Sequence, residues 1–220
     1  MYGEKIDAAE YLRKFIDLEF GLPNPSKEKF IRDAIKRAGL NEKFEIRQDH
    51  EKNNIVRFLV SLSAIYGMSL RAIERCISRL KLVMTVTSEA YELQAVQVTL
   101  LIVLRSVDKV MFDKIVQGRI NAEQAMEYLR SLPNAQGMLN DLDGIILETM
   151  LVAELGDDAS IQSYRHSQRT ILNRADTLDD QKDHVSRKLQ ILDSFTGNRF
   201  GRGRLKSIAA TIDIAANLKD

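Results

Sequence analysis

Three arginines spaced four residues apart are the side chains whose type and pattern could do chemistry in this chain. Arg71, Arg75 and Arg79 stand at i, i+4 and i+8, so a helix would carry all three guanidinium groups on one face, opposite its apolar stripe. Arginine suits phosphate because its planar fork donates two parallel hydrogen bonds and stays charged. The spacing therefore predicts an anion-binding face. The alternative is a solvated basic face on which Glu74 pairs with its helical neighbours.

A second basic run, GNRFGRGRLK, occupies residues 197–206. Its cations are Arg199, Arg202, Arg204 and Lys206. The glycines let a backbone approach an anion closely, and a helix beginning after them would offer its N-terminal N–H groups. The run predicts a small phosphate or nucleic-acid contact, with a loop between two helices as the alternative.

The remaining reactive side chains predict no catalytic site. His50, His166 and His184 are scattered along the chain, without a second ligand at metal spacing. The only cysteine, Cys76, falls near the apolar side of the arginine-bearing helix, where we expect it to pack. Asp108 ends the apolar run TLLIVLRSVD and superficially resembles the acid of a Walker B strand. Magnesium would also need a phosphate loop there, and none of the eleven glycines is followed by lysine.

Two segments around these residues resemble a known family. Residues 7–23, DAAEYLRKFIDLEFGLP, and residues 61–80, SLSAIYGMSLRAIERCISRL, are similar to the stretch that follows the core sheet in KAP-type P-loop NTPases, relatives of the AAA+ and STAND ATPases. Since this chain has no phosphate loop, the resemblance implies the helical lid side of such an enzyme without its catalytic half. It implies ATP and magnesium as ligands of the parent enzyme, and no cofactor and no catalysis for this chain by itself.

The resemblance also implies roles for particular residues. In AAA+-like enzymes the lid helix begins with a sensor arginine that reaches the terminal phosphates, and Arg71 falls at its place, followed by Arg75. Gly67 stands four residues before Arg71, where the usual pattern has three. Lys14 matches a basic position of the family's YL-x-K segment, which implies a place near the nucleotide or at a subunit contact. Its alternative is a surface lysine. The implied partners are an upstream NTPase core, neighbouring subunits and an unknown protein.

Two other functions fit the same residues. Residues 55–66, 67–69 and 70–84 also read as a helix-turn-helix, with the arginines able to face a DNA major groove. A net charge of +1 supplies no global basic field, although non-specific phosphate attraction provides much of DNA affinity. The other function is a helical scaffold without a ligand. The expected function is therefore a non-catalytic module that senses nucleotide state, with a DNA-binding regulator or a scaffold as alternatives.

Frequent helix start and stop signals predict an all-α fold, a bundle of about nine helices. Glycines at 39, 67 and 118 are expected to end helices, and Ser69 is expected to begin one. Asn121 with Gln124 resembles a capping box. The run AVQVTLLIVL is rich in β-branched residues, which leaves a short buried strand as an alternative to the buried helix that we favour.

The C-terminal part predicts further helices over residues 139–152 and 159–174. Thr177 and Asp180 are expected to cap another, with four apolar side chains facing inward: Leu178, Val185, Leu189 and Leu192. A boundary within residues 118–137 would separate a lid-like domain, 1–117, from a helical tail, 118–220, that either stands alone or extends the same bundle.

No membrane span or exported protein is predicted. The longest apolar stretch, residues 96–104, contains Gln97 and Thr99 and is shorter than the roughly 20 residues that a spanning helix needs. The N-terminus MYGEKIDAAE lacks an apolar signal core, and a lone cysteine fits a reducing compartment. We therefore expect the chain in the cytoplasm.

Overall fold

The computed structural model of the protein describes residues 26–46, 49–87, 94–174, 176–197 and 204–217. Every regular element within these ranges is a helix, which confirms the all-α class for the described part of the chain. Some predictions lie outside the described residues, namely those for the segment 7–23, Lys14, Arg199 and Arg202.

The described residues form twelve helices, where the sequence predicts about nine. In chain order they are α1 (Lys27–Arg37), α2 (Asn41–Ile46), α3 (Asp49–Ile65), α4 (Leu70–Val86), α5 (Ala95–Val107), α6 (Lys109–Val116), α7 (Ala122–Ser131), α8 (Ala135–Leu139), α9 (Leu142–Leu155), α10 (Asp158–Leu172), α11 (Asp179–Thr196) and α12 (Arg204–Asn217). None of these described helices is both long enough and apolar enough to cross a membrane.

The predicted helix ends are confirmed where local chemistry sets them. The glycines after α1, α3 and α6 have φ angles of 70°, 56° and 64°, in the left-handed region that glycine adopts without strain. Ser69 Oγ accepts a hydrogen bond of 3.3 Å from the backbone N–H of Ala72 at the start of α4. The capping box before α7 is complete, because Asn121 and Gln124 each accept from the other's backbone N–H, at 2.8 and 3.1 Å.

Helix α5 forms the centre of the fold. All ten residues from Ala95 to Leu104 are buried, and α3, α4, α6, α9 and α12 pack around them. The run is therefore the buried helix that we favoured, and the alternative of a short strand is wrong. A helix that is apolar on all sides needs partners on all sides, and in that setting β-branched side chains cost less than the burial contributes.

The structure divides two predicted helices differently. The helix expected over residues 139–152 is broken, because α8 ends at Leu139 and Asp141 adopts an extended backbone conformation before α9.

Thr177 does not cap α11, since its hydroxyl donates to the carbonyl of Ile171 at 2.7 Å. Leu178 is 68% exposed, so its predicted inward position is wrong; it precedes the first turn of α11 and lies on no helix face.

A polar contact joins the two halves of the chain. Asp143, at the start of α9, is buried and accepts a hydrogen bond of 3.0 Å from Ser61 Oγ on α3. Arg57 Nε on the same helix lies 2.6 Å from Asp143 Oδ1.

The main core contains buried side chains from α1 through α9 and from α12. The domain boundary within residues 118–137 stays a prediction, and apolar residues on both sides of it share this core.

The close approach of α8 and α9 gives a test of the packing. A Cβ at Gly144 would lie 2.6 Å from the carbonyl carbon of Leu139, which is backbone and cannot rotate away. We expect Gly144→Ala to lower the free energy of unfolding by about 1–3 kcal/mol, measured by urea titration. Gly137→Ala in α8 is the control, because its Cβ would meet nothing within 4 Å. That substitution should be neutral or stabilising, and equal effects of the two would contradict the packing described.

Candidate anion-binding face

Helix α4 holds the predicted arginines on a firmly packed support. Its apolar stripe, which includes Ile73, Ile77 and Leu80, is buried against α1, α5 and α12. Arg71 and Arg75 lie in its first two turns and are exposed. Because one side of the helix is fixed in the core, the direction in which these two side chains leave the protein is set by packing.

The carboxylate expected to neutralise these arginines is engaged elsewhere. Glu74 Oε1 lies 3.6 Å from Arg37 Nη2, at the end of α1, and both side chains are more than half exposed. Among the described residues, Arg71 and Arg75 have neither an ion pair nor a hydrogen bond. We term Arg37, Arg71 and Arg75 the arginine face: Arg37 pairs with Glu74, and Arg71 and Arg75 are the exposed arginines of α4 that precede and follow Glu74 in the sequence.

Arg79 does not belong to this face, contrary to the expectation for an i, i+4, i+8 series. Its Nη1 donates a hydrogen bond of 2.7 Å to Ser106 Oγ on α5, and the side chain is half-buried. Each step of four residues rotates about 40° around a helix, so Arg79 is turned about 80° from Arg71 toward α5. Burial lowers the pKa of the Arg79 guanidinium, and the nearby Arg105 and Arg75 lower it further.

Ser106 joins three groups at the interface of α4 and α5. Its hydroxyl donates to the carbonyl of Ile102 at 2.6 Å, and it accepts from Arg79 and from the thiol of Cys76, whose sulphur is 3.3 Å away. Burial raises the pKa of Cys76, which the hydrogen bond to Ser106 opposes. Cys76 is 1% exposed, so it packs in the core as the sequence predicted.

The neighbouring residue of α5 contacts a different helix. Arg105 Nε lies 2.8 Å from Asp213 Oδ1 on α12, and its guanidinium lies 5.7 Å from the ring centre of Phe112. Two successive residues, Arg105 and Ser106, therefore link the last turn of α5 to α12 and to α4. These polar contacts connect α4 to α12 through the last turn of α5.

The second basic run is only partly described. Arg204 begins α12, and its backbone N–H donates to Glu154 Oε2 at 3.1 Å, so a carboxylate of the protein takes one of the donors that a bound anion would use. Lys206 is exposed on the first turn. The anion contact of Arg199, Arg202, Arg204 and Lys206 stays a prediction.

Asp108 has a structural role that the sequence pattern did not reveal. It precedes α6, where its Oδ1 accepts from the backbone N–H of Met111 at 3.0 Å. Its Oδ2 accepts a short hydrogen bond from the hydroxyl of Tyr128, and that bond, followed by burial, raises the pKa of Tyr128 to about 12. Tyr66 directly follows the last residue of α3, and its buried hydroxyl has no hydrogen-bond partner in the described structure. Burial raises its pKa, and the charges of Tyr128 and Asp108 raise it further. Nothing in the spacing of these residues indicates that they meet.

No group of three histidine, cysteine or carboxylate side chains that could hold a metal occurs among the residues the structure describes. Comparisons with protein-family models, curated protein sequences and solved structures gave no match.

The contact between α4 and α5 can be tested through the thiol. Replacing Ser106 by alanine removes the acceptor of Arg79 and of Cys76, and should cost about 1 kcal/mol of stability. Because the thiol is buried, labelling by dithionitrobenzoate requires local opening, so we expect faster labelling in Ser106→Ala. Ser131→Ala is the control, since that hydroxyl also donates to a carbonyl of its own helix, but at the surface. Unchanged labelling in Ser106→Ala would exclude this contact as a link between the helices.

Proposed function

We propose that this chain is the non-catalytic, lid-side helical module of a KAP-like P-loop ATPase, which senses nucleotide state and relays it to a partner or subunit. The observation that carries the proposal is the exposed pair Arg71 and Arg75 of the arginine face. Neither has a carboxylate partner among the described residues, and both lie in the first two turns of a helix whose other side is buried. The resemblance of residues 61–80 to the family's lid supports it, because Arg71 falls where the sensor arginine is expected.

The physical basis of sensing would be charge. A terminal phosphate presents oxygens that accept paired hydrogen bonds from a guanidinium group, and its loss removes both the charge and the acceptors. Arg71 and Arg75 would therefore hold α4 toward an ATPase core only while the phosphate is present. Lids of this kind move as rigid bodies, and the packing of α4 against α1, α5 and α12 favours such a motion.

The relay would use the last turn of α5. Arg79 connects α4 to Ser106, and Arg105 connects α5 to Asp213 on α12. A shift of α4 that follows phosphate binding would reach α12 through these two hydrogen bonds and through the apolar contacts around them. The C-terminal helix is thus the element that we propose to pass the change to a partner.

DNA binding is the second candidate function, because α3, the turn ending at Ser69 and α4 follow one another as in a helix-turn-helix. The exposed Arg71 and Arg75 would then approach phosphates or base edges. The two functions differ in their partner, and they differ in the response to salt, since DNA contacts release counterions.

The test of sensing is ATP turnover by the protein in which this chain accompanies its P-loop core. We expect Arg71→Ala to lower turnover by about tenfold or more, because a charge-assisted contact to the reacting phosphate is lost. Arg75→Ala should have a smaller effect in the same direction. Lys81→Ala, an exposed cation on the same helix, should leave turnover within about twofold of the unmodified protein. Equal turnover in all variants would remove the sensor role.

The alternative is decided by fluorescence anisotropy of a labelled DNA duplex at low and high salt. Under the proposed function we expect no binding that depends on the arginine face. Binding that weakens steeply with salt and is lost in the Arg71→Ala, Arg75→Ala double variant would instead establish the DNA-binding function.

A further inference from the structure

A cleft of about 850 Å³ lies between α7, α9 and α10, formed by none of the residues of the arginine face. Its volume falls within the range of about 300–1,000 Å³ that is typical of small-ligand sites. Apolar side chains form part of its lining: Met126, Val152, Leu155 and Ala159. Met126 and Val152 are buried, so the surrounding helices fix the part of the lining that these two side chains form.

Gln168 is the one buried polar side chain among the described residues that line this cleft, and it is 9% exposed. The described residues give its amide no hydrogen bond, and its amide atoms still reach solvent at the cleft. A bound polar group could therefore take the place of water at this amide. Ser163 and Ser167 line the cleft beside it on α10, and their hydroxyls are also without hydrogen-bond partners among the described residues.

Glu148 is not available to a ligand in the same way. Its carboxylate accepts from Tyr164 Oη at 2.7 Å and from Lys188 Nζ at 3.0 and 2.9 Å. The Glu148 and Lys188 side chains are 17% and 15% exposed, so the pair is largely withdrawn from water. Burial raises the pKa of the Tyr164 phenol, and the charge of Glu148 and its hydrogen bond raise it further. This cluster is satisfied internally and closes one side of the cleft.

Arg130 supplies positive charge to the cleft. It lines the cleft from α7, is exposed, and has no ion pair with any described residue. Its charge acts on Tyr164, where it lowers the pKa against the larger effects of burial and Glu148. Tyr164 lies within about one helical turn of Ser163, Ser167 and Gln168, so the cation and the three free polar groups belong to the same part of the cleft. The acidic lining residue Glu123 is seven residues before Arg130, about 10 Å along α7.

We propose that this cleft binds a small amphipathic anion. Its apolar body would cover Met126 and Val152, its anionic group would pair with Arg130, and a neutral polar group would reach Gln168. The proposal is independent of the arginine face, and the site is formed by none of the residues 197–206 for which the sequence predicts an anion contact.

The test uses two fluorescent probes that share an apolar body and differ in charge. Anilinonaphthalene sulfonate carries one sulfonate, and phenylnaphthylamine carries no charge. We expect saturable one-to-one binding of the sulfonate, weakened about tenfold by Arg130→Gln, because a charge-assisted contact is lost. Binding of phenylnaphthylamine should be unchanged in that variant.

Two further variants separate the site from non-specific adsorption. Ala159→Trp adds a large ring at an exposed lining position, so it should abolish binding of both probes without disturbing the core. Arg169→Gln removes the same charge from an exposed position of α10 outside the cleft and should leave both affinities unchanged. Thermal unfolding by circular dichroism checks that each variant is folded.

The proposal is overturned if folded Arg130→Gln and Ala159→Trp bind the sulfonate as the unmodified protein does. It is also overturned if binding is not saturable, or if Arg130→Gln weakens both probes equally.

Discussion

The complete burial of α5 is the constraint on which the rest of the structure depends. A helix that is buried over ten successive residues requires neighbours on every side, and five helices supply them. Apolar packing against α5 therefore sets the approximate positions of these five helices. Apolar burial is not directional, however, and it leaves rotation and sliding poorly specified. Arg105 and Ser106, in the last turn, provide hydrogen bonds that fix α12 and α4 in one orientation.

This arrangement explains why three evenly spaced arginines have two different roles. Helical rotation carries Arg79 toward α5, where it finds a hydroxyl acceptor, and leaves Arg71 and Arg75 in solvent. Glu74 contacts Arg37, so the charge of the exposed pair is not cancelled within α4. Arg79 thus orients α4 against α5, and Arg71 and Arg75 remain exposed on the surface of α4. In the C-terminal part the arrangement differs, because Glu148 and Lys188 neutralise each other and the exposed charges left at the cleft are Arg130 and, about 10 Å along α7, Glu123.

The sequence predicted those features that depend on neighbouring residues. The left-handed glycines, the cap at Ser69 and the box formed by Asn121 and Gln124 all result from contacts within one turn, and each was found where expected. The arginine face was anticipated in part, since periodicity shows which residues share a side but not which of them meets another helix. Leu178 and the break before α9 were missed, because apolar spacing does not reveal where a turn interrupts it. The pairing of Asp143 with Arg57 and the free amide of Gln168 depend on contacts across the fold, which no local pattern encodes.

Asp108 connects consecutive helices through one side chain. It follows the last residue of α5, caps α6 and binds Tyr128 on α7. Breaking the first turn of α6 would expose this carboxylate and release the tyrosine, so the start of α6 and the middle of α7 are expected to open together as one cooperative unit. Such coupling means that amide protons on two helices, 20 residues apart in sequence, would share a single opening equilibrium.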